Sequence, residues 1–283
     1  MPADKLELLS HKIRPRFLDL AIAEGTRKGG YDHVVELPKI SAALHCKGYR
    51  NGIHKLVFRD VAHLNFRYCK DIVSEVFGPS SWVRIARVDW CVDISGIPLL
   101  DFALHCRLAR IQNCSVIRSR TGPTFYLRRS RAHTVLIYNK LRQLQSIGSP
   151  LFKNYLMPDP LVRVEVQLKG HGLPVRYFHE LDKFAELDLL QNLSFSEIGQ
   201  KRSGLNTTDS LAAEGLLRKI EESGLQMTSK EYSSQKWAYL AKKFLRPASQ
   251  SQFPDLNKLL RQSIRDWLEN RTRFPRYPER RRT

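Results

Sequence analysis

Residues 84–94 read RIARVDWCVDI. Ala86, Val88, Trp90, Val92 and Ile94 alternate with Arg87, Asp89, Cys91 and Asp93. A period of two marks a strand, whose successive side chains point to opposite faces. One face here is a core face. The other carries two carboxylates about 13 Å apart along an ideal strand. At that spacing they share no single ligand without a bend or a third group between them.

The pattern recurs outward from this strand. In LVRVEVQLK (161–169), Val162, Val164, Val166 and Leu168 oppose Arg163, Glu165, Gln167 and Lys169. TFYLRR (124–129) and TVLIYNK (134–140), split by residues 130–133, read as a hairpin. In the first, Phe125, Leu127 and Arg129 alternate with Tyr126 and Arg128; in the second, Val135, Ile137 and Asn139 alternate with Leu136, Tyr138 and Lys140. An antiparallel sheet commonly has one core face and one wet face. The wet face is expected to gather Asp89, Asp93, Glu165, Tyr138 and Lys140, with arginines among them.

Residues 54–60 predict a further strand. Apolar steps of three and four predict helices over 61–78, ending at Gly78, and over 99–113. From about residue 180 the pattern turns helical, over 182–193, 209–224, 233–246 and 255–270. Asp209 is expected to cap the second of these and Gly224 to end it. Trp237 and Tyr239 are expected in a core. The fold class expected is α+β: an antiparallel sheet with one core face and one open active-site face, flanked by helices, then a helical C-terminal region. The expected division is a sheet domain over 1–180, a helical DNA-recognition or accessory region over 181–270, and a basic tail over 271–283.

The 283 residues carry 47 Lys and Arg against 28 Asp and Glu, a net charge of +19. Such an excess favours polyanions, nucleic acid first and an anionic membrane surface second. The last thirteen residues, RTRFPRYPERRRT, hold six arginines and suit phosphate contacts. No apolar run approaches the roughly 18 residues of a membrane span. The N-terminus lacks an apolar signal core, so a cytoplasmic protein is expected. Five cysteines with no C-x-x-C pair argue against a cysteine zinc site and a disulfide framework and point to free thiols in or near a core.

Carboxylates are scarce on so basic a chain, yet Asp89, Asp93 and Glu165 lie mid-strand. Oxygen ligands suit Mg2+ or Mn2+. A tyrosine beside a carboxylate-bound cation suits attack on a phosphodiester, giving a phosphotyrosine link that can later be resealed. A phenol with pKa near 10 needs help to ionise, which Lys140 could give.

Three segments in order, RVDWCVDIS, FYLRRSRAHTVLIYNK and LVRVEVQLKG, give the chain a family likeness. Over roughly residues 80–172 it resembles the rolling-circle replication initiators of small plasmids, the Rep_trans type, and the replication initiation factors of filamentous phages. The resemblance implies a nicking-closing endonuclease acting at a replication origin, often as a homodimer, with host helicase and polymerase as partners. It makes Tyr138 the nucleophile, with Lys140 beside it, and Asp89, Asp93 and Glu165 the metal candidates, for Mg2+ or Mn2+. Candidate DNA contacts are Arg87, Arg128, Arg129 and Arg163 on strands, Lys236, Lys242 and Lys243 on a helix, and Arg280, Arg281 and Arg282 in the tail. The chain departs from the family where LRR replaces GSR, and where Gln143 stands in place of an acid. No H-x-H pair occurs among the nine histidines. His133, in the hairpin, reads as an exposed turn residue or as a ligand or base. The competing classes are a non-catalytic DNA-binding protein with Tyr126 and Tyr138 as stacking platforms, and a structural protein that holds a genome with its tail.

Overall fold

The computed structural model describes residues 3–38, 41–48, 52–59, 61, 64–79, 82–120, 122–146, 160–198, 206–248 and 253–270. The tail, with Arg280, Arg281 and Arg282, lies outside the described residues. In chain order the elements are β1 (Ala3–Ser10), α1 (Pro15–Glu24), β2 (Thr26–Lys28), β3 (Tyr31–Leu37), β4 (Ala42–Gly48), β5 (His54–Arg59), α2 (Phe66–Phe77) and β6 (Arg84–Ser95). Then come α3 (Leu99–His105), β7 (Cys106–Leu108), β8 (Asn113–Ser119), β9 (Gly122–Ser130), β10 (His133–Asn139), α4 (Lys140–Ser146) and β11 (Leu161–Lys169). A 3-10 segment, Phe178–Glu186, precedes β12 (Leu193–Ile198), α5 (Thr207–Glu231), α6 (Ser234–Phe244), β13 (Leu245–Pro247) and α7 (Leu256–Leu268). Ten of the strands form one large sheet, whose described pairs are antiparallel.

The chain divides into two compact units, and both draw on the strand-rich and the helical parts of the sequence. The first comprises residues 1–92, 165–188 and 258–283. Its strands run in the order β2-β3-β4-β5-β1-β6. The N-terminal strand β1 pairs with both β5 and β6, so that Leu6 lies opposite Phe58 on one side and Val88 on the other. Helix α2 buries Cys69, Ile72, Val73, Val76 and Phe77, the three-and-four spacing of an amphipathic helix. The Asn65 side chain caps it by accepting from Arg67 N at 2.7 Å. Gly78 ends it at φ 85, a left-handed conformation that suits glycine. The apolar face of β6 packs Trp90 against Phe184 and Trp267, with ring centroids 5.4 and 5.8 Å away.

The second unit comprises residues 93–164 and 189–257. It holds the order β11-β10-β9-β8 and a small sheet of β13, β12 and β7. The hairpin expected at 124–140 is present as β9 and β10. Two expected helices are corrected here. The stretch 99–113 is helical only to His105, because Cys106–Leu108 pairs with Leu193–Phe195 and a ladder replaces helical bonds. The expected helix over 182–193 is a 3-10 segment only as far as Glu186; Leu193–Phe195 pairs with β7 and Ser196–Ile198 with β13, which makes residues 193–198 a strand. Helices α5 and α6 share a core of Ala213, Leu216, Ile220, Leu225, Trp237, Leu240 and Phe244. Asn206, not Asp209, caps α5, its side chain accepting from Asp209 N at 2.8 Å. Gly224, at φ 79, breaks the helix where a Cβ would stand 3.1 Å from the Ala103 carbonyl oxygen.

The thiols match the expectation: all five described cysteines are free, and only Cys114 is not fully buried. Trp237 is buried as expected, but Tyr239 is 58% exposed, with the Lys243 ammonium 2.9 Å from its hydroxyl.

Candidate active site

The polar face of β6 and β11 is not wet at its centre. Asp89, Arg163 and Glu165 are all buried, because both faces of these strands are covered. Burial changes what each acid can do, since a buried charge demands a partner.

In the first unit, Asp89 accepts two bonds from one guanidinium, Arg87 Nε at 2.8 Å and Nη2 at 2.7 Å. Glu165 accepts from Gln167 Nε2 at 2.7 Å. Burial pushes the Asp89 carboxyl up to about 7; the Arg87 hydrogen bond opposes that rise and the negative charge of Glu165 adds to it. Asp89 therefore titrates near neutrality. Two buried carboxylates that repel each other form a donor set that a hard cation relieves, and Mg2+ commonly takes one or two carboxylates with water. Among the described residues no group of three or more His, Cys, Asp or Glu is placed to hold a metal ion. Asp89 and Glu165 are the two carboxylates in this unit whose mutual repulsion a hard cation would relieve, with Arg87 as the present partner of Asp89.

In the second unit, Asp93 pairs with Arg163: Nε reaches Oδ1 at 2.6 Å and Nη2 reaches Oδ2 at 2.7 Å. The side chains are 3% and 0% exposed. A fork-on-fork pair of this kind is a structural device, each charge neutralising the other in a dry place. It occupies Asp93, a candidate ligand, and Arg163, a candidate DNA contact, with each other. Fully buried, Arg163 presents no surface to a phosphate.

Tyr138 lies in β10 opposite Thr124, and is 5% exposed. The strand ends one residue later. Asn139 Oδ1 accepts from Arg142 N at 2.9 Å, which starts α4 at Lys140. The tripeptide YNK is therefore a strand end, a cap and a first helical residue. Lys140 does not continue the alternation, yet the helical turn still brings its Nζ to 6.0 Å from the Tyr138 ring centroid. Lys140 is itself buried and donates to Gln143 Oε1 at 3.1 Å. The Gln143 amide oxygen thus receives the lysine. Asn139 and Gln143 were not singled out as partners from the sequence; the helix-cap spacing between Asn139 and Arg142 was the available signal.

His133 is half-buried rather than an exposed turn residue, and its Nε2 is buried without a hydrogen-bond partner. Burial and the positive charge of Arg129 push its pKa down to about 4, so it is neutral at pH 7. Of the other candidates, Arg128 is exposed and Arg129 half-buried. On α6, Lys236 and Lys242 are exposed, while Lys243 pairs with Asp209 at 2.6 Å.

The chain is similar to a rolling circle replication initiator protein from Geobacillus stearothermophilus. The likeness covers 79% of this chain and 97% of that one, at 16% identity and a TM-score of 0.42. That identity and score give no residue of this chain a role. No family model matches the chain, and neither does any curated protein. Among the described residues no helix is long and apolar enough to cross a membrane.

Proposed function

We propose that this protein is a replication initiator of the rolling-circle kind, a DNA nicking-closing enzyme with Tyr138 as nucleophile and Mg2+ or Mn2+ as cofactor. The observation that carries the proposal is the junction of β10 and α4, where the Lys140 ammonium stands 6.0 Å from the Tyr138 ring. Lys140 is the residue proposed to help the phenol give up its proton. Tyr138 gives its proton to solvent and its oxygen bonds the phosphorus of a DNA phosphodiester. The bond from phosphorus to one sugar oxygen breaks, and that oxygen leaves as an alcohol after taking a proton. One phosphodiester has been exchanged for another, so the reverse reaction reseals the strand.

Asp89 and Glu165 are the proposed cation ligands, and a bound cation would supply neutralising charge for phosphate oxygens. Asp93 and Arg163 serve as a buried brace. The DNA contacts proposed are Arg87, Arg128, Arg129, Lys236 and Lys242. Use as a homodimer, together with a host helicase and polymerase, belongs to the proposal through the family resemblance.

The burial of Tyr138 favours a second reading, DNA binding without chemistry. One assay separates the two: supercoiled DNA carrying the coding region and its flanks, with Mn2+ or Mg2+, is treated with wild type and Tyr138→Phe. A protein–DNA adduct made by wild type and absent in the variant supports the enzyme. Wild type that binds this DNA and its single-stranded fragments without nicking either would sink it.

A further inference from the structure

The register of β8, β9 and β10 lays out a lane that starts at Tyr138. Tyr138 lies opposite Thr124, and Thr124 opposite Ile117. One step along, Leu136 lies opposite Tyr126 and Tyr126 opposite Ser115; beyond that come Thr134, Arg128 and Asn113. Directly paired residues share a face of a sheet, so these nine form one continuous strip. The opposite face holds Leu127, Val135 and Ile137, all 2% exposed or less. Along the strip exposure rises in one direction. The β10 residues Thr134, Leu136 and Tyr138 are 5–8% exposed. On β9, Thr124 and Tyr126 are half-buried and Arg128 is exposed; on β8, Asn113 and Ser115 are exposed and Ile117 is 54% exposed. β8 is the last strand of the sheet on this side, so the strip opens at an edge.

The chain segment that carries the strip has charges of one sign. No aspartate or glutamate occurs between Asp101 and Asp159, while the same segment holds eight arginines and two lysines. A second copy of so basic a surface would repel this one, and a polyanion would not. The strip also displays an aromatic ring and a large exposed aliphatic side chain, Tyr126 and Ile117. A duplex hides base faces, whereas a single strand offers them for stacking. We infer that a single strand of DNA crosses β10, β9 and β8 from Tyr138 to the sheet edge, with bases on Tyr126 and Ile117 and a phosphate on Arg128. This inference rests on Tyr138 being the reacting residue and adds the path of the strand it would hold.

The test is binding of the full chain to a short fluorescein-labelled oligodeoxythymidylate and to a labelled duplex of equal length, read by fluorescence anisotropy. Tyr126→Ala should weaken single-strand binding about tenfold, the scale of one lost base–aromatic stack. Tyr126→Phe should keep wild-type affinity, since it keeps the ring, and this guards against mere misfolding. Ile117→Ser should weaken the single strand more than the duplex. Arg128→Gln should reduce the slope of log affinity against log salt by about one. Wild-type affinity in Tyr126→Ala and Ile117→Ser overturns the lane, as does equal weakening on the duplex. A change in the self-association of free protein in place of single-strand binding also overturns it, and makes the strip a contact between copies. Because binding is read apart from adduct formation, a wild type that never forms an adduct while these variants still bind weakly defeats the Tyr138 reading and leaves the lane standing.

Discussion

Asp89 and Asp93 are the same residue type, four positions apart on one strand, and they have opposite surroundings. Asp93 meets Arg163, which arrives from another strand and is 0% exposed, so the pair is dry and closed. Asp89 meets Arg87, two residues away on its own strand and 25% exposed, with Glu165 adding negative charge. The first acid is neutralised by a buried guanidinium; the second keeps a partner that can swing to solvent and a pKa near neutrality. On the proposed reading, the difference makes Asp93 a structural residue and leaves Asp89 for chemistry.

The largest effect expected comes from breaking the dry pair. Asp93→Asn leaves Arg163 charged and buried without its carboxylate, and should cost about 3–5 kcal/mol of unfolding free energy. Urea unfolding measures this, and a loss below about 1 kcal/mol would remove the distinction between the two acids.

Next comes a pH dependence belonging to Asp89. Its folded pKa of about 7 lies above the unfolded value of 3.8, so the folded chain holds a proton that the unfolded chain releases. Its stabilising contribution is complete below about pH 4, declines as pH rises, and is gone above about pH 7. Over that window wild type should lose up to a few kcal/mol relative to Asp89→Asn. A difference between the two that does not vary with pH would contradict the assignment.

The cation sharpens the comparison further. Addition of Mn2+ should raise the melting temperature of wild type by a few degrees, more at pH 8 than at pH 6, because binding needs ionised carboxylates. The shift should vanish in Asp89→Asn. Equal shifts in both proteins would remove Asp89 from the ligand set. The smallest effect expected is that of Arg87→Gln. A partly exposed partner contributes about 1 kcal/mol or less, and its removal should strengthen cation binding by freeing Asp89. Calorimetric titration with Mn2+ reads the second outcome.

Much of the sheet was legible because alternation is a local property. Residues 84–94, 124–129, 134–139 and 161–169 carry it, and all became strands, whereas Lys140 opened α4. The amphipathic spacing of residues 66–77 likewise announced α2 and its Gly78 stop. The N-terminal strand was missed, since its inward leucines, Leu6 and Leu8, stand in a short charged stretch. The run at 99–113 kept a helical spacing throughout, yet its second half pairs with a strand that arrives some ninety residues later. At the candidate site, Tyr138 and Lys140 were readable as neighbours, but the turn that actually joins them required Asn139 as a cap.

By itself the sequence determined the strands with their polar and apolar faces, the large positive charge, the free thiols, and the tyrosine and the mid-strand carboxylates. Those follow from residue identity and spacing, which act over a few positions of chain. Only the tertiary structure decided that the polar face is buried, that Arg163 closes on Asp93, that burial and Glu165 lift Asp89 to neutrality, and that exposure rises from Tyr138 towards β8. Burial and charge pairing depend on residues far apart in sequence, and a carboxylate's chemistry is set by what surrounds it.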